Sequence, residues 1–183
     1  MSEIKRYAKK AGMRVAGNFL VVTQTEDVVS GIAIDSAPSI TYLWAFVLPT
    51  YDKLIYLHMT LGERIGTWEK RESCDQKVSA ALEIYSSKLE NVRSANDLLS
   101  YVSCRGLSSD YANWVKFLSY IRIADFLSAE RQMNELMLVA SSMSEAAKLK
   151  MEVLKNAVTN GGWPAAQNVL QEWALSTRKL LET

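Results

Sequence analysis

Beyond residue 14, the period of hydrophobic and polar positions changes once along this chain, near residue 70. Before that point, short runs rich in β-branched and aromatic residues alternate with turn-forming residues, a texture typical of strands. We predict four strands, over residues 19–22, 28–34, 40–48 and 54–60. The polar breaks between them have the length of hairpin turns, so the strands are predicted to pair antiparallel in chain order.

In the second part of the chain, apolar residues recur at intervals of three and four, which predicts six helices. Gly106 is expected to end the second helix, and Ser108 or Ser109 to cap the third. Gly161-Gly162 is expected to end the fifth. Pro164 then lies in the first turn of the sixth, where its missing N–H costs no hydrogen bond. In the fifth helix the apolar stripe is predicted to run through Leu149, Val153, Leu154 and Val158.

These patterns predict three regions and an α+β fold class. Residues 1–14 form a short basic helix, with five basic residues against one acidic residue. Residues 15–70 form a small antiparallel sheet of about four strands, and residues 71–183 form three α-helical hairpins packed with it. Each hairpin can bury its apolar face only against a neighbour.

The helical region shows signs of an internal repeat. Phe126 and Trp163 fall 37 residues apart in similar contexts, and Val92 and Phe126 fall 34 apart, which are periods typical of stacked helix-turn-helix units. The run Ala124-Asp125-Phe126 followed by Ala129 resembles the Gly-Asp-Tyr-x-x-Ala turn of tetratricopeptide repeats, with alanine in the glycine position. The resemblance covers about residues 75–180 and implies a TPR-like array. Trp114 falls one residue out of the family's register, so no family binding position is assigned.

A second resemblance spans nearly the whole chain. Residues 43–49 and 55–64 are similar to a segment of an uncharacterised group of bacterial proteins in which a sheet precedes a helical tail. This resemblance implies the same order of regions and a bacterial protein, but it supplies no functional residue.

Charge and hydropathy exclude several classes of protein. The net charge is only +1, which argues against nucleic acid and anionic membranes as partners. The longest uncharged stretch, residues 36–51, is shorter than the roughly 20 residues of a membrane-spanning helix. The start of the chain lacks the apolar core of a secretion signal. Cys74 and Cys104 fit a reducing compartment, in which we expect both to be thiols. A disulfide between them is the alternative. We therefore predict a cytoplasmic protein.

Little in the sequence indicates catalysis. His58 is the only histidine, which excludes multi-histidine metal sites. The glycine patterns of nucleophile elbows, phosphate loops and dinucleotide-binding turns are missing. We predict no catalytic residue, metal or cofactor. The alternative is a small hydrolase-type enzyme that acts on nucleotides or phosphoesters, with Asp35, Asp52 and His58 at one end of the sheet. Turn residues and a structural histidine would explain the same three positions.

The predicted function is therefore a non-enzymatic protein–protein interaction module, of the bacterial immunity or adaptor type. Lys148 and Lys155 are seven residues apart and share a helix face, with Arg122 nearby in the repeat. They are candidates for a basic patch that receives an acidic partner, although solvated lysines would look the same. Trp68 has no periodic partners, so it is either a binding anchor or a link between sheet and helices. The sequence is also compatible with a homo-oligomer.

Overall fold

The N-terminal part of the chain forms one antiparallel sheet. The structure is a computed structural model, and it describes residues 8–9, 12–69 and 75–182. Five strands follow one another in the sheet in chain order: β1 (Arg14–Ala16), β2 (Phe19–Gln24), β3 (Val28–Ser36), β4 (Ile40–Pro49) and β5 (Glu63–Glu69). The predicted α+β class and the antiparallel sheet are confirmed.

Two of the predicted polar breaks are tight hairpins. At the first, the Thr25 backbone N–H donates to Val28 O at 2.8 Å, and the Val28 N–H donates to the Thr25 hydroxyl at 3.0 Å. At the second, the Ala37 N–H donates to Ile40 O at 2.8 Å. Short side chains that bond to nearby backbone fix these reversals, and the reversals set the register of the long central strands.

The predicted strand over residues 54–60 is wrong, and two strands that were not predicted are present. The Leu54 backbone N–H donates to the Thr177 hydroxyl at 2.9 Å, so it bonds to a helix rather than to a neighbouring strand. Ile55 and Tyr56 are both exposed, which breaks the alternation that a half-buried strand needs. The sheet is instead completed by β1 and by β5, where a bulge lies opposite Leu43 and Trp44.

Five helices lie in the described residues: α1 (Asp75–Leu89), α2 (Ala95–Cys104), α3 (Asp110–Arg122), α4 (Phe126–Leu138) and α5 (Glu145–Glu182). A short 3-10 turn (Ala140–Ser142) separates the last two. Six helices were predicted because α5 was divided at Gly161-Gly162. The interruption is present at Gly162, whose φ of 70° and ψ of −174° are not helical, although the chain continues as a helix beyond it.

The predicted helix ends are confirmed in detail. Ser109 caps α3, and its hydroxyl accepts from the Ala112 N–H at 3.1 Å. Gly106 has a φ of 61°, and the Leu107 N–H bonds back to Val102 O at 3.2 Å. These are the side-chain and left-handed caps that unsatisfied helix termini require.

The chain divides into two compact units. The first contains residues 1–48 and 56–97, and the second contains residues 49–55 and 98–183. In the first unit, α1 packs against β2, β3 and β5. Ala8 and Lys9 are helical, but most of the predicted basic helix over residues 1–14 lies outside the described residues. No described helix is long and apolar enough to cross a membrane.

Candidate functional site

The short N-terminal segment of the second unit, residues 49–55, carries deeply buried polar side chains. Thr50, Tyr51 and Asp52 are each no more than 1% exposed, and Leu54 is also buried. The Tyr51 hydroxyl lies 2.7 Å from the Ser119 hydroxyl of α3. This segment begins at the last residue of β4. The core of the helical unit therefore includes residues that lie about 45 positions before its helices in the sequence.

Asp52 is the centre of this polar core. Its carboxylate accepts hydrogen bonds from Trp114 Nε1 at 2.8 Å, from the Tyr111 hydroxyl at 2.9 Å and from Lys150 Nζ at 2.9 Å. Lys150 Nζ also donates to the Asp52 backbone carbonyl at 2.9 Å. The Asp52 side chain is 2% exposed and that of Lys150 is 25% exposed. A buried charge is tolerated when it is paired and hydrogen-bonded in this way.

The protonation of Tyr111 follows from this geometry. Burial, and then the negative charge of Asp52, raise the pKa of Tyr111 well above its usual value of 10.0. Tyr111 therefore remains a hydrogen-bond donor to the carboxylate. The cluster joins segment 49–55 to α3 through Tyr111 and Trp114, and to α5 through Lys150. A substrate could reach Asp52 only by displacing one of these three donors.

The three residues of the enzymatic alternative lie in different settings. Asp52 belongs to the second unit, whereas Asp35 and His58 belong to the first. Asp35 is exposed near the end of β3. The Nδ1 atom of His58 accepts from the Thr60 N–H at 3.5 Å, and its ring lies edge-on to Tyr56 at 6.0 Å. Among the described residues, no three His, Cys, Asp or Glu side chains are grouped so that they could hold a metal ion.

The predicted partner-binding residues are spread over the described chain. Arg122 Nη1 donates to Gln171 Oε1 at 2.7 Å. Gln171 lies on the part of α5 that follows the interruption at Gly162. Lys148 and Lys155 both lie on α5 before that interruption, and Lys148 pairs with Glu145 at 2.8 Å. These three stay predictions as contacts to a partner. The side chain of Trp68, which lies on β5, falls outside the described residues, as does Cys74. Cys104 is a free, exposed thiol.

Several exposed apolar side chains of the second unit lie close in sequence to the connection from α4 to α5. These side chains, which we call the turn surface, are Met137, Leu138, Val139, Leu149 and Val153. Leu138 is 86% exposed and Leu149 is 69% exposed. Both lie within about 6 Å of helix length from the connection, because each residue of a helix rises about 1.5 Å.

The prediction that Leu149 and Val153 belong to the core stripe of their helix is wrong. The buried residues of this part of α5 are Met151 and Leu154. Successive helix residues are rotated by about 100°, so Met151 and Leu154 share one side of the helix and Leu149 lies on the opposite side. Amphipathic spacing gives several overlapping stripes in a helix this rich in apolar residues. Only the packing decides which stripe is buried.

Charged residues on α5 border the turn surface. Glu145, Lys148, Glu152 and Lys155 follow one another along one side of the helix, with two charges of each sign. At about 100° per residue, the two glutamates lie between Leu149 and the two lysines. The first charges that a partner on Leu149 would meet are therefore acidic, and the border as a whole is neutral.

Comparison with known proteins finds no matching protein-family model, no similar curated protein and no similar solved structure. The resemblances to tetratricopeptide repeats and to a bacterial group therefore stay predictions.

Proposed function

We propose that this chain is a non-enzymatic protein–protein interaction module, and that the turn surface of its second unit receives the partner. The observation that carries the proposal is the exposure of Leu138 and Leu149, on two consecutive helices close to their connection. A single exposed leucine is ordinary. Five large apolar side chains within residues 137–153, bordered by charged residues, have the composition of an interface centre with a polar rim.

The turn surface is held by packed neighbours. Leu136 and Met143, on either side of the connection, are buried at 1% and 7% exposure, and Leu154 is fully buried. An interface on well-packed helix ends loses little conformational entropy when it binds, which favours affinity.

A TPR-like arrangement of the last helices is part of this proposal. Phe126 and Trp163, which the 37-residue repeat makes equivalent, stack with ring centroids 5.9 Å apart and planes 6° apart. Ala124, in the position that the repeat family gives to glycine, has a φ of 62°. Both observations support stacked helix pairs, and such stacks commonly present binding surfaces. An immunity or adaptor role is one form of this function.

The test compares two variants that each replace two exposed leucines of the second unit. L138S/L149S alters the turn surface, whereas the control L127S/L175S alters exposed leucines outside it. Both should fold normally, since exposed substitutions usually change stability by about 0.5 kcal/mol or less. Tagged chains are expressed in the source cells, crosslinked and purified, and the captured proteins are quantified by mass spectrometry.

The partner should be captured equally by the wild type and L127S/L175S, and about tenfold less by L138S/L149S. A third variant, K148E/K155E, tests the predicted basic contacts and should lower capture if the partner's rim is acidic. Equal capture by L138S/L149S and its control would refute the proposal. So would turnover of a nucleotide or phosphoester by the purified chain that H58A abolishes.

A further inference from the structure

The first half of α5 presents an exposed stripe at the spacing of a helix-pairing surface. Ala146, Leu149, Val153 and Asn156 are all exposed, and they follow one another at intervals of three, four and three residues. Leu149 is 69% exposed and Val153 is 40% exposed. These intervals keep side chains on one side of a helix, and they are the intervals of the positions at which two paired helices meet. The stripe therefore has the form of a surface that receives another helix.

The charged border beside this stripe is complementary to itself when its direction is reversed. Glu145 and Lys155 are each five positions from residue 150, on opposite sides of it. Lys148 and Glu152 are each two positions from the same residue. Both symmetric pairs join opposite charges. If a second copy of α5 lay antiparallel on the first, each glutamate of the border would therefore meet a lysine of the other copy.

Nearly the same register brings the apolar side chains of the stripe together. Leu149 and Val153 are each two positions from residue 151, so Leu149 of one copy would lie opposite Val153 of the other. The centres of the apolar and the charged pairings differ by one residue, which is about 1.5 Å of helix rise. Lysine side chains are long and flexible enough to span that difference. One antiparallel register therefore satisfies both the apolar stripe and its border.

We propose that the turn surface binds a second copy of this chain, through antiparallel two-fold pairing of the first halves of α5. This inference rests on the proposed function, because it names the partner of the same surface. A two-fold interface uses one patch twice, so the charges of the patch must complement their own symmetry mates. The border meets this condition, and the net charge of only +1 opposes the association of two copies very little.

The ion pair that Lys148 makes within its own chain competes only weakly with this pairing. Lys148 Nζ lies 2.8 Å from Glu145 Oε1, and the two side chains are 38% and 91% exposed. Exposed ion pairs of this kind contribute little to stability, so they exchange readily. Residues 145–161, before the interruption at Gly162, span only about 25 Å of helix. We therefore expect a weak dimer, with a Kd on the order of 10–100 μM.

The experiment measures sedimentation equilibrium of the full-length chain, up to about 500 μM. K148E/K155E makes all four positions of the border acidic, and E145K/E152K makes all four basic. Each variant alone should be monomeric, because like charges then face each other across the two-fold axis. An equimolar mixture of the two should associate again, as a heterodimer that native mass spectrometry identifies by its mass.

Two further variants separate the stripe from a general effect of charge. The control R131E/K179E makes the same change of charge as K148E/K155E, at two exposed positions outside the stripe, and should dimerise like the wild type. L149S should raise the Kd at least about tenfold, because a two-fold interface loses the leucine twice. Circular dichroism checks that each variant is folded, so that a loss of association reports on the surface.

The proposal is overturned if the wild type stays monomeric at the highest concentration, or if the mixed charge variants do not associate. It is also overturned if R131E/K179E weakens the dimer as much as K148E/K155E does. A monomeric wild type whose L138S/L149S variant still loses a different protein in the capture experiment would exclude the second copy as partner and leave the proposed function intact. Equal capture by L138S/L149S and L127S/L175S would refute the proposed function itself.

Discussion

Removal of the Asp52 carboxylate should destabilise the second unit more than any exposed substitution. Breaking a buried ion pair by removing one partner typically costs about 3–5 kcal/mol. Lys150 is 25% exposed, so water replaces part of what it loses. The Trp114 and Tyr111 donors would be left without their acceptor, at about 1–3 kcal/mol each when no substitute is found. We expect D52A to lower the free energy of unfolding by about 3–4 kcal/mol.

The asparagine variant separates charge from hydrogen bonding. In D52N the amide oxygen can still accept from Trp114 Nε1 or Lys150 Nζ, and Tyr111 can accept from the amide nitrogen instead of donating. Only the charge-assisted part of these bonds is lost, so D52N should cost about 1–2 kcal/mol. The control D35N alters an exposed carboxylate and should change stability by about 0.5 kcal/mol or less.

The assay is urea unfolding of each full-length variant, followed by tryptophan fluorescence and by hydrogen exchange of α3 and α5. A double-mutant cycle between D52N and K150M should give a coupling free energy of at least about 1 kcal/mol, because the two groups contact directly. Protection of both helices should fall together in D52A. If D52A is as stable as D35N, or if the cycle gives no coupling, the view that Asp52 holds this unit together is refuted.

Three further predictions follow from local geometry. Because the pKa of Tyr111 is raised by burial and by the Asp52 charge, the folded state keeps a proton that the unfolded state loses near pH 10.0, so stability should fall by up to about 1.4 kcal/mol per unit above that pH. Y111F should remove this pH dependence in alkaline urea titrations. The hydrogen bond from the Ser94 hydroxyl lowers the pKa of Asp97 below 3.8, and Asp97 also accepts from the Ser94 N–H at 2.9 Å. The contribution of the ionised Asp97 carboxylate to stability is present above about pH 4 and is lost as the pH falls through the folded-state pKa. D97A should therefore lower the free energy of unfolding by about 1 kcal/mol at neutral pH, measured by urea denaturation. G162A should lower the free energy of unfolding by about 1–3 kcal/mol in the same assay, since φ 70° and ψ −174° suit only glycine. A124G should raise it by about 0.5–1 kcal/mol, because Ala124 has a φ of 62°. Equal effects of these two substitutions would contradict both assignments.

The local signals in the sequence were sufficient for the hairpins and helix ends. The polar residues at 24–27, the glycine at 106 and the serine at 109 act through bonds to backbone groups only a few positions away. Such bonds depend on local conformation, so they can be read without knowledge of the tertiary fold. The break at Gly162 was found for the same reason.

The positions that the sequence predicts wrongly have partners that are distant in the chain. Residues 54–60 have the composition of a strand, but the Leu54 N–H bonds to Thr177, which is 123 positions away. Leu149 has helical spacing and was assigned to the core, yet it is 69% exposed. Asp52 was predicted as a turn or catalytic residue, and no pattern indicated that Trp114 and Lys150 would bond to it.

The sequence by itself determined the order of sheet and helices, their turns and caps, and the scarcity of histidine, because each of these depends on composition or on neighbours within a few residues. Only the tertiary structure decided which apolar stripe became core and which segment joined the helices. Those outcomes depend on long-range packing, in which a residue's environment is supplied by distant parts of the chain. The turn surface is of this kind, and it could not be found before the chain was folded.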